Sequence, residues 1–245
     1  MKYLNLLGLI ILMIFTGCGA ETSRRTGESS GLIKMENSPL TYVLPAPKIK
    51  GTVSVEEALQ NRRSHRRFQD SALSAAQLSQ ILWAAYGITA PRPDHPGLRG
   101  GLRTTPSAGA LFPLEIYVVI GNVAGIEPGV FRYDSERHKI VRTIAGDVRA
   151  ELTAAALGQR MIMEAPITLV YTAVFSRMIA RYGERGRKYT YMEVGHSAQN
   201  VYLQAEAMGL GTCAIGAFTD AQVSRILRLP AEEAPLYMMP VGFIR

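Results

Sequence analysis

The chain has 245 residues, 47% of them hydrophobic and 19% charged, with a formal charge of +7. That is roughly one to one and a half domains' worth of a globular chain able to fill a sizeable core. The positive residues are spread rather than gathered into one run, and no zinc-finger spacing, heptad run or aromatic-basic interleaving accompanies them, which sets nucleic acid aside as a partner.

The N-terminus is a different material. Lys2 precedes an almost wholly apolar run over 4–15, and Thr16, Gly17, Cys18 and Gly19 follow. A short positive start, an apolar stretch of about a dozen residues and small residues at a cut describe a secretory signal over 1–17, too short to span a membrane comfortably. Its end resembles the bacterial lipoprotein pattern, in which Cys18 carries the lipid. The expected location is then the cell envelope, facing the periplasm or exterior and touching the membrane only through that anchor; an unlipidated Cys18 would point to the cytoplasm instead. Residues 18–50, rich in Ser, Thr, Glu, Gly and Pro, read as a tether and an arm lying on the body, and the folded domain is expected over 51–245.

SVEE (54–57) is a capping box opening a short helix that runs into Arg62 and Arg63. SAAQ (74–77) opens a second, with Leu78, Ile81, Leu82 and Ala85 on one face. Residues 89–103 carry three prolines, three glycines and three arginines and predict a long exposed loop, of the kind used as a lid or ligand wall. Small side chains follow between Pro106 and Pro113, where backbone amides can approach a flat ligand closely. Strands are predicted over 115–120, 165–174, 212–218 and 235–243, with a hairpin over 130–133 and 140–142. Asp147 opens a helix, and another runs from Thr219 to Leu229. The basic, aromatic stretch 178–191 lies ahead of the longest helix, 191–208, whose Val194, Ala198, Val201, Ala205 and Met208 mark a core or subunit-interface face. Cys213, in apolar company, reads as core filler. The four histidines show no ligand spacing, so no metal site is expected.

Four arginines, a serine and a histidine crowd residues 62–68. Guanidinium forks match phosphate oxygens two at a time, so the row reads as a phosphate-ligand site, with a solvated basic turn as the plain alternative. Neither a GxGxxG nor a P-loop is present.

RRSHRRF (62–68), LWAAYGIT (82–89), TTPSAGALFPLEIYVV (104–119), EVGHSAQNVYLQAEAMGLGT (193–212), IGAF (215–218) and PVG (240–242) stand in an order that resembles the FMN-dependent nitroreductase superfamily. Within it, they are similar to the SagB-type dehydrogenases related to azoline oxidases. The resemblance implies an α+β, nitroreductase-like fold, a central mixed or antiparallel sheet flanked by helices, and a homodimer with FMN at the subunit interface. It implies that Arg62, Arg63, Ser64 and Arg66 hold the FMN phosphate and pyrimidine edge, with Arg245 adding a phosphate contact. Pro106, Ser107, Ala108 and Gly109 would reach the flavin ring from the partner chain, and Gly216 and Ala217 would approach its N5 edge. Ala110 stands where many nitroreductases carry Asn, a small residue that the SagB branch shares. Lys188 and Tyr189 match the Lys-Tyr pair of azoline oxidases, in which a buried lysine beside cations such as Arg185 and Arg187 would serve as base.

The activity implied is an FMN-dependent oxidoreductase that moves hydride between flavin N5 and a small organic or peptide-derived substrate, or NAD(P)H. An envelope location favours the organic substrate. The alternative is a lipid-anchored flavin-binding protein without turnover.

Overall fold

The computed structural model describes residues 31–35 and 39–245. The signal segment over 1–17, Cys18, and residues 19–30 and 36–38 of the tether lie outside the described residues.

Two short strands come first, β1 (Ile33–Met35) and β2 (Thr41–Val43). Helices α1 (Val55–Asn61) and α2 (Ala75–Tyr86) start where expected, because the Ser54 and Ser74 hydroxyls accept hydrogen bonds from the amides of Glu57 and Gln77. At α2 the box is complete, since the Ser74 amide donates back to the Gln77 side chain. Then follow β3 (Ile88–Pro91), β4 (Gly101–Arg103), β5 (Leu114–Ile120), β6 (Gly129–Asp134) and β7 (Lys139–Ala145). Helices α3 (Arg149–Ala155) and α4 (Met161–Glu164) lead to β8 (Ile167–Ala173), α5 (Phe175–Tyr182) and the long α6 (Arg185–Ala207). The chain closes with β9 (Leu210–Thr212), α7 (Asp220–Leu227) and β10 (Ala234–Phe243).

Eight strands form one sheet in the order β1-β2-β7-β6-β5-β8-β10-β9, and every pairing between them is antiparallel. The central strands β5 and β8 are buried at each position, as their unbroken apolar character requires. The two-residue period of β5 divides the core. Leu114, Ile116, Val118 and Ile120 join the cluster that takes in Leu78, Ile81 and Leu82 of α2 and Val194, Ala198 and Val201 of α6. Tyr117 and Val119 face the opposite cluster, built on Leu152, Ile162, Val223 and Leu227 from α3, α4 and α7.

Four expectations change. Residues 89–103 form the β3–β4 hairpin rather than an irregular loop, and Gly101, at φ +145°, is required there because a Cβ would collide with the Ala90 carbonyl. The sheet takes in residues ahead of Gly51, with Tyr42 of β2 buried and set edge-on to Phe131 at 5.9 Å. The strand expected over 212–218 stops at Thr212 and leaves a single bridge, Ile215 to Met238. The long helix begins at Arg185, six residues early, because the left-handed Gly183 ends α5 and Gly186 lets α6 turn tightly against the Met178 backbone.

Candidate functional site

The arginine row leaves α1 extended and runs between β9 and the C-terminal residues. Ser64 bridges Thr212, and the His65 amide donates to the Thr212 carbonyl at 2.9 Å. Phe68 pairs with Ile244, and the Arg245 amide donates to the Arg67 carbonyl at 3.2 Å. Tyr202 of α6 is the hub of this edge. Its ring lies 5.2 Å from the Arg62 guanidinium, its hydroxyl sits 3.1 Å from the Ser64 hydroxyl, and it accepts the Ala214 amide at 2.8 Å. Arg63 folds back on the carbonyls of Gln60 and Arg62. Arg66 lies against Cys213, whose thiol burial pushes up and Arg66 draws back down. Among the described residues, none of Arg62, Arg63, Arg66 and Arg67 has a side-chain carboxylate partner. Guanidiniums without a carboxylate partner beside a serine hydroxyl are a donor set that fits a phosphate monoester.

Gly216 and Ala217 follow β9 on the same side and are exposed. A Cβ at Gly216 would meet only the Tyr237 ring, at 3.7 Å, so the space above it is open to a flat ligand. The Ala217 carbonyl accepts from the Gln159 amide group at 2.9 Å. The row, Arg245 and the Gly216 corner therefore share one edge of the chain.

The segment 104–112 lies elsewhere. Thr105 donates to the Ala85 carbonyl at 2.8 Å, and Asn200 of α6 donates to the Thr104 carbonyl and Thr105 hydroxyl, each at 3.2 Å. The Ser107 hydroxyl donates to Glu193 at 2.6 Å and accepts the Phe112 amide at 2.9 Å. Tyr86 donates to the other Glu193 oxygen at 2.5 Å. Burial raises the Glu193 carboxyl to about 7 against the pull of these two hydrogen bonds, and burial likewise pushes the Tyr86 hydroxyl well up. Gly109 sits at φ +61°, where a Cβ would come within 2.6 Å of the Tyr182 hydroxyl. Ala110 at φ +53° holds a backbone shape that asparagine tolerates more readily.

Lys188 and Tyr189 lie inside the first turns of α6, not ahead of it. Tyr189 stands edge-on to Tyr182 at 5.1 Å and accepts from Arg185 at 3.0 Å, which puts it beside the Gly109 corner. Lys188 is exposed, so the burial expected of a basic lysine is not supplied by its own chain.

Two groups thus emerge, and α6 stands between them. Glu193, Ser197 and Asn200 recur at helical spacing and face α2 and the 104–107 segment. Tyr202 is nine residues beyond Glu193, about two and a half turns, so it points to the opposite side. Ser107 therefore packs on the Glu193 side of the helix and the arginine row on the Tyr202 side.

Glu193, Tyr86 and Tyr202 are site residues that the sequence analysis did not single out. The available signal for Glu193 was its place in a polar stripe with Ser197 and Asn200.

An antiparallel sheet between helical layers, with a basic row on one side of α6 and a small-residue segment on the other, defines a nitroreductase-like α+β protein. The Nitroreductase family profile matches residues 59–243, and the chain belongs to that family. A Methanocaldococcus jannaschii protein that carries the name nitroreductase is 48% identical over 202 residues, covering 82% of this chain and 96% of its own. The crystal structure of a nitroreductase-named protein from Ralstonia eutropha superposes with a TM-score of 0.70 at 27% identity, over 93% of this chain and 96% of that one. The Escherichia coli microcin B17-processing protein McbC is 26% identical over 176 residues, 69% of this chain and 62% of its own length. Family membership is consistent with an oxidoreductase.

Proposed function

We propose that the chain is an FMN-dependent oxidoreductase of the SagB type, acting as a homodimer. The observation that carries this reading is the row of arginines without carboxylate partners beside the open Gly216 corner. Arg62, Arg63, Ser64 and Arg66 would hold the phosphate and pyrimidine edge, and Arg245 would close the row. When bound, FMN supplies the two-electron redox chemistry, by giving or accepting hydride at N5. The protein's own residues hold the ring, keep its edge in a positive field and shape the substrate face.

A second copy is the arrangement that α6 supports. Pro106, Ser107, Ala108 and Gly109 lie across the helix from their own row, so the segment that meets the ring would come from the partner. The outward face of α6 supports contact with a second copy, since Tyr191 and Met192 are exposed and a Cβ at Gly195 would meet nothing within 4 Å. Such a contact would also bring cover to Lys188 and Tyr189, the candidate pair for moving a substrate proton as hydride leaves. McbC-like relatives support the SagB branch and a small organic or peptide-derived substrate, with NAD(P)H as the other hydride partner. Lipidation at Cys18 and a place in the cell envelope belong to the same proposal and rest on the sequence of the first eighteen residues.

The test is an absorption spectrum of the full chain after soaking with FMN and desalting. Flavin bands are expected to remain. Arg62→Ala should weaken retention about tenfold, the loss of one charge-assisted hydrogen bond, and Arg67→Ala about twofold or less. Equal losses would reduce the row to bulk charge, and absent bands in the wild type would sink the cofactor.

A further inference from the structure

A cavity of about 350 Å³ opens between the β3–β4 hairpin and strands β5, β6 and β7, sharing no lining residue with the arginine row. Its walls include Tyr86, Arg99, Arg103, Glu115, Arg132 and Ser135. Two of the three lining carboxylates, Glu115 and Asp134, are already taken. Glu115 receives Arg99 at 2.7 Å, Arg132 at 2.8 Å and Arg177 at 2.7 Å. Burial alone would raise its carboxyl, but the three guanidiniums hold it at about 2. Asp134 faces Arg137 at 3.3 Å and Lys139 at 3.8 Å. Four arginines and three carboxylates in the lining leave one positive charge in surplus, with Arg177 and Lys139 behind Glu115 and Asp134, and Glu193 and Glu233 behind Tyr86 and Arg132.

Arg103 concentrates that surplus. Its guanidinium is set 4.4 Å from the Tyr86 ring centre and 4.7 Å from that of Phe112, which fixes its plane. It donates to the Tyr86 carbonyl at 3.2 Å, the Arg99 carbonyl at 3.1 Å and the Ser135 hydroxyl at 2.5 Å. No carboxylate pairs with it among the described residues, and its buried Nε has no hydrogen-bond partner. A desolvated guanidinium short of acceptors is the arrangement that an added oxyanion relieves.

We propose that this cavity binds a compact molecule bearing a carboxylate or phosphate group, with the oxyanion between Arg99, Arg103 and Arg132. The volume lies in the range of small-molecule pockets and exceeds what a bare ion needs. Arg99 also donates to the Phe112 carbonyl at 2.7 Å, and the Phe112 amide is tied to Ser107. A ligand drawing on Arg99 therefore acts on the segment that presents Ser107 and Gly109. This site does not depend on the flavin reading.

The test is isothermal titration of the full chain with succinate and, separately, with pyrophosphate. One saturable site per chain that persists in the double variant Arg62→Ala, Arg66→Ala is expected for at least one of the two, succinate marking a carboxylate ligand and pyrophosphate a phosphate ligand. Arg103→Met should weaken it about tenfold or more, while the double variant Arg62→Ala, Arg66→Ala leaves it unchanged. Arg132 is exposed and shares Glu115 with Arg99 and Arg177, so Arg132→Gln leaves that carboxylate two partners and should weaken binding about threefold. Absence of saturable binding to either probe would overturn the proposal. So would binding that the double variant abolishes and both cavity variants leave intact.

Discussion

Glu193 is 2% exposed, and its carboxyl is raised from the ordinary carboxylate range to about 7 because burial outweighs the hydrogen bonds from Ser107 and Tyr86 and the fields of Arg103 and Arg99. The folded chain then holds this proton more tightly than the unfolded chain does. The stabilisation is complete below the unfolded value and is lost as pH rises through about 7. The shift corresponds to about 3 kcal/mol. Urea melts at about pH 5 and about pH 8 should therefore show the wild type losing stability on the alkaline side, and Glu193→Gln losing much less. Parallel behaviour of the two proteins would assign the pH dependence elsewhere. The arginine row was legible in the sequence because its members are contiguous. Tyr202 was not, because it meets Ser64 from 138 residues away and nothing local marks it.

At the scale of elements, the caps at Ser54 and Ser74 and the buried strands β5 and β8 follow from local chemistry and continuous apolar character, and both lay open in the sequence. The β3–β4 hairpin did not, since its strands of four and three residues are too short to alternate and its prolines and glycines read as breakers. Helix α6 was half read, by its inward apolar face alone. Gly195 carries the rest of the information. A glycine in mid-helix costs about 0.8–1.0 kcal/mol relative to alanine, and nothing in its own chain needs the space. In an isolated protomer, Gly195→Leu should stabilise the helix; in the dimer it should weaken association about tenfold or more, as read by sedimentation over a dilution series. Unchanged association would remove α6 from the interface.

For the whole molecule, the antiparallel sheet and its two helical layers were within reach of the resemblance, while the contribution of β2 was not. Thr41, Tyr42 and Val43 sit in a segment whose composition reads as a tether, and long-range pairing with β7 overrides that local signal. Tyr42 belongs to the larger of the two core clusters, so a chain trimmed at Gly51 would lose part of its own core.

The half-turn that α6 places between Glu193 and Tyr202 has a genetic consequence. If each site joins one protomer's arginine row to the other's 106–109 segment, two differently damaged chains can repair one another. The double variant Arg62→Ala, Arg66→Ala disables the row and leaves the segment whole; Gly109→Val strains the segment and leaves the row whole. Neither homodimer should retain flavin, yet a mixed dimer contains one site assembled from its two undamaged halves. Random re-pairing of equal amounts makes about half of the dimers mixed, so about a quarter of the wild-type flavin should return. Complementation of that size, read from the flavin absorbance after co-refolding, would mean that the unit of function is the pair; no recovery would return both halves of the site to a single chain.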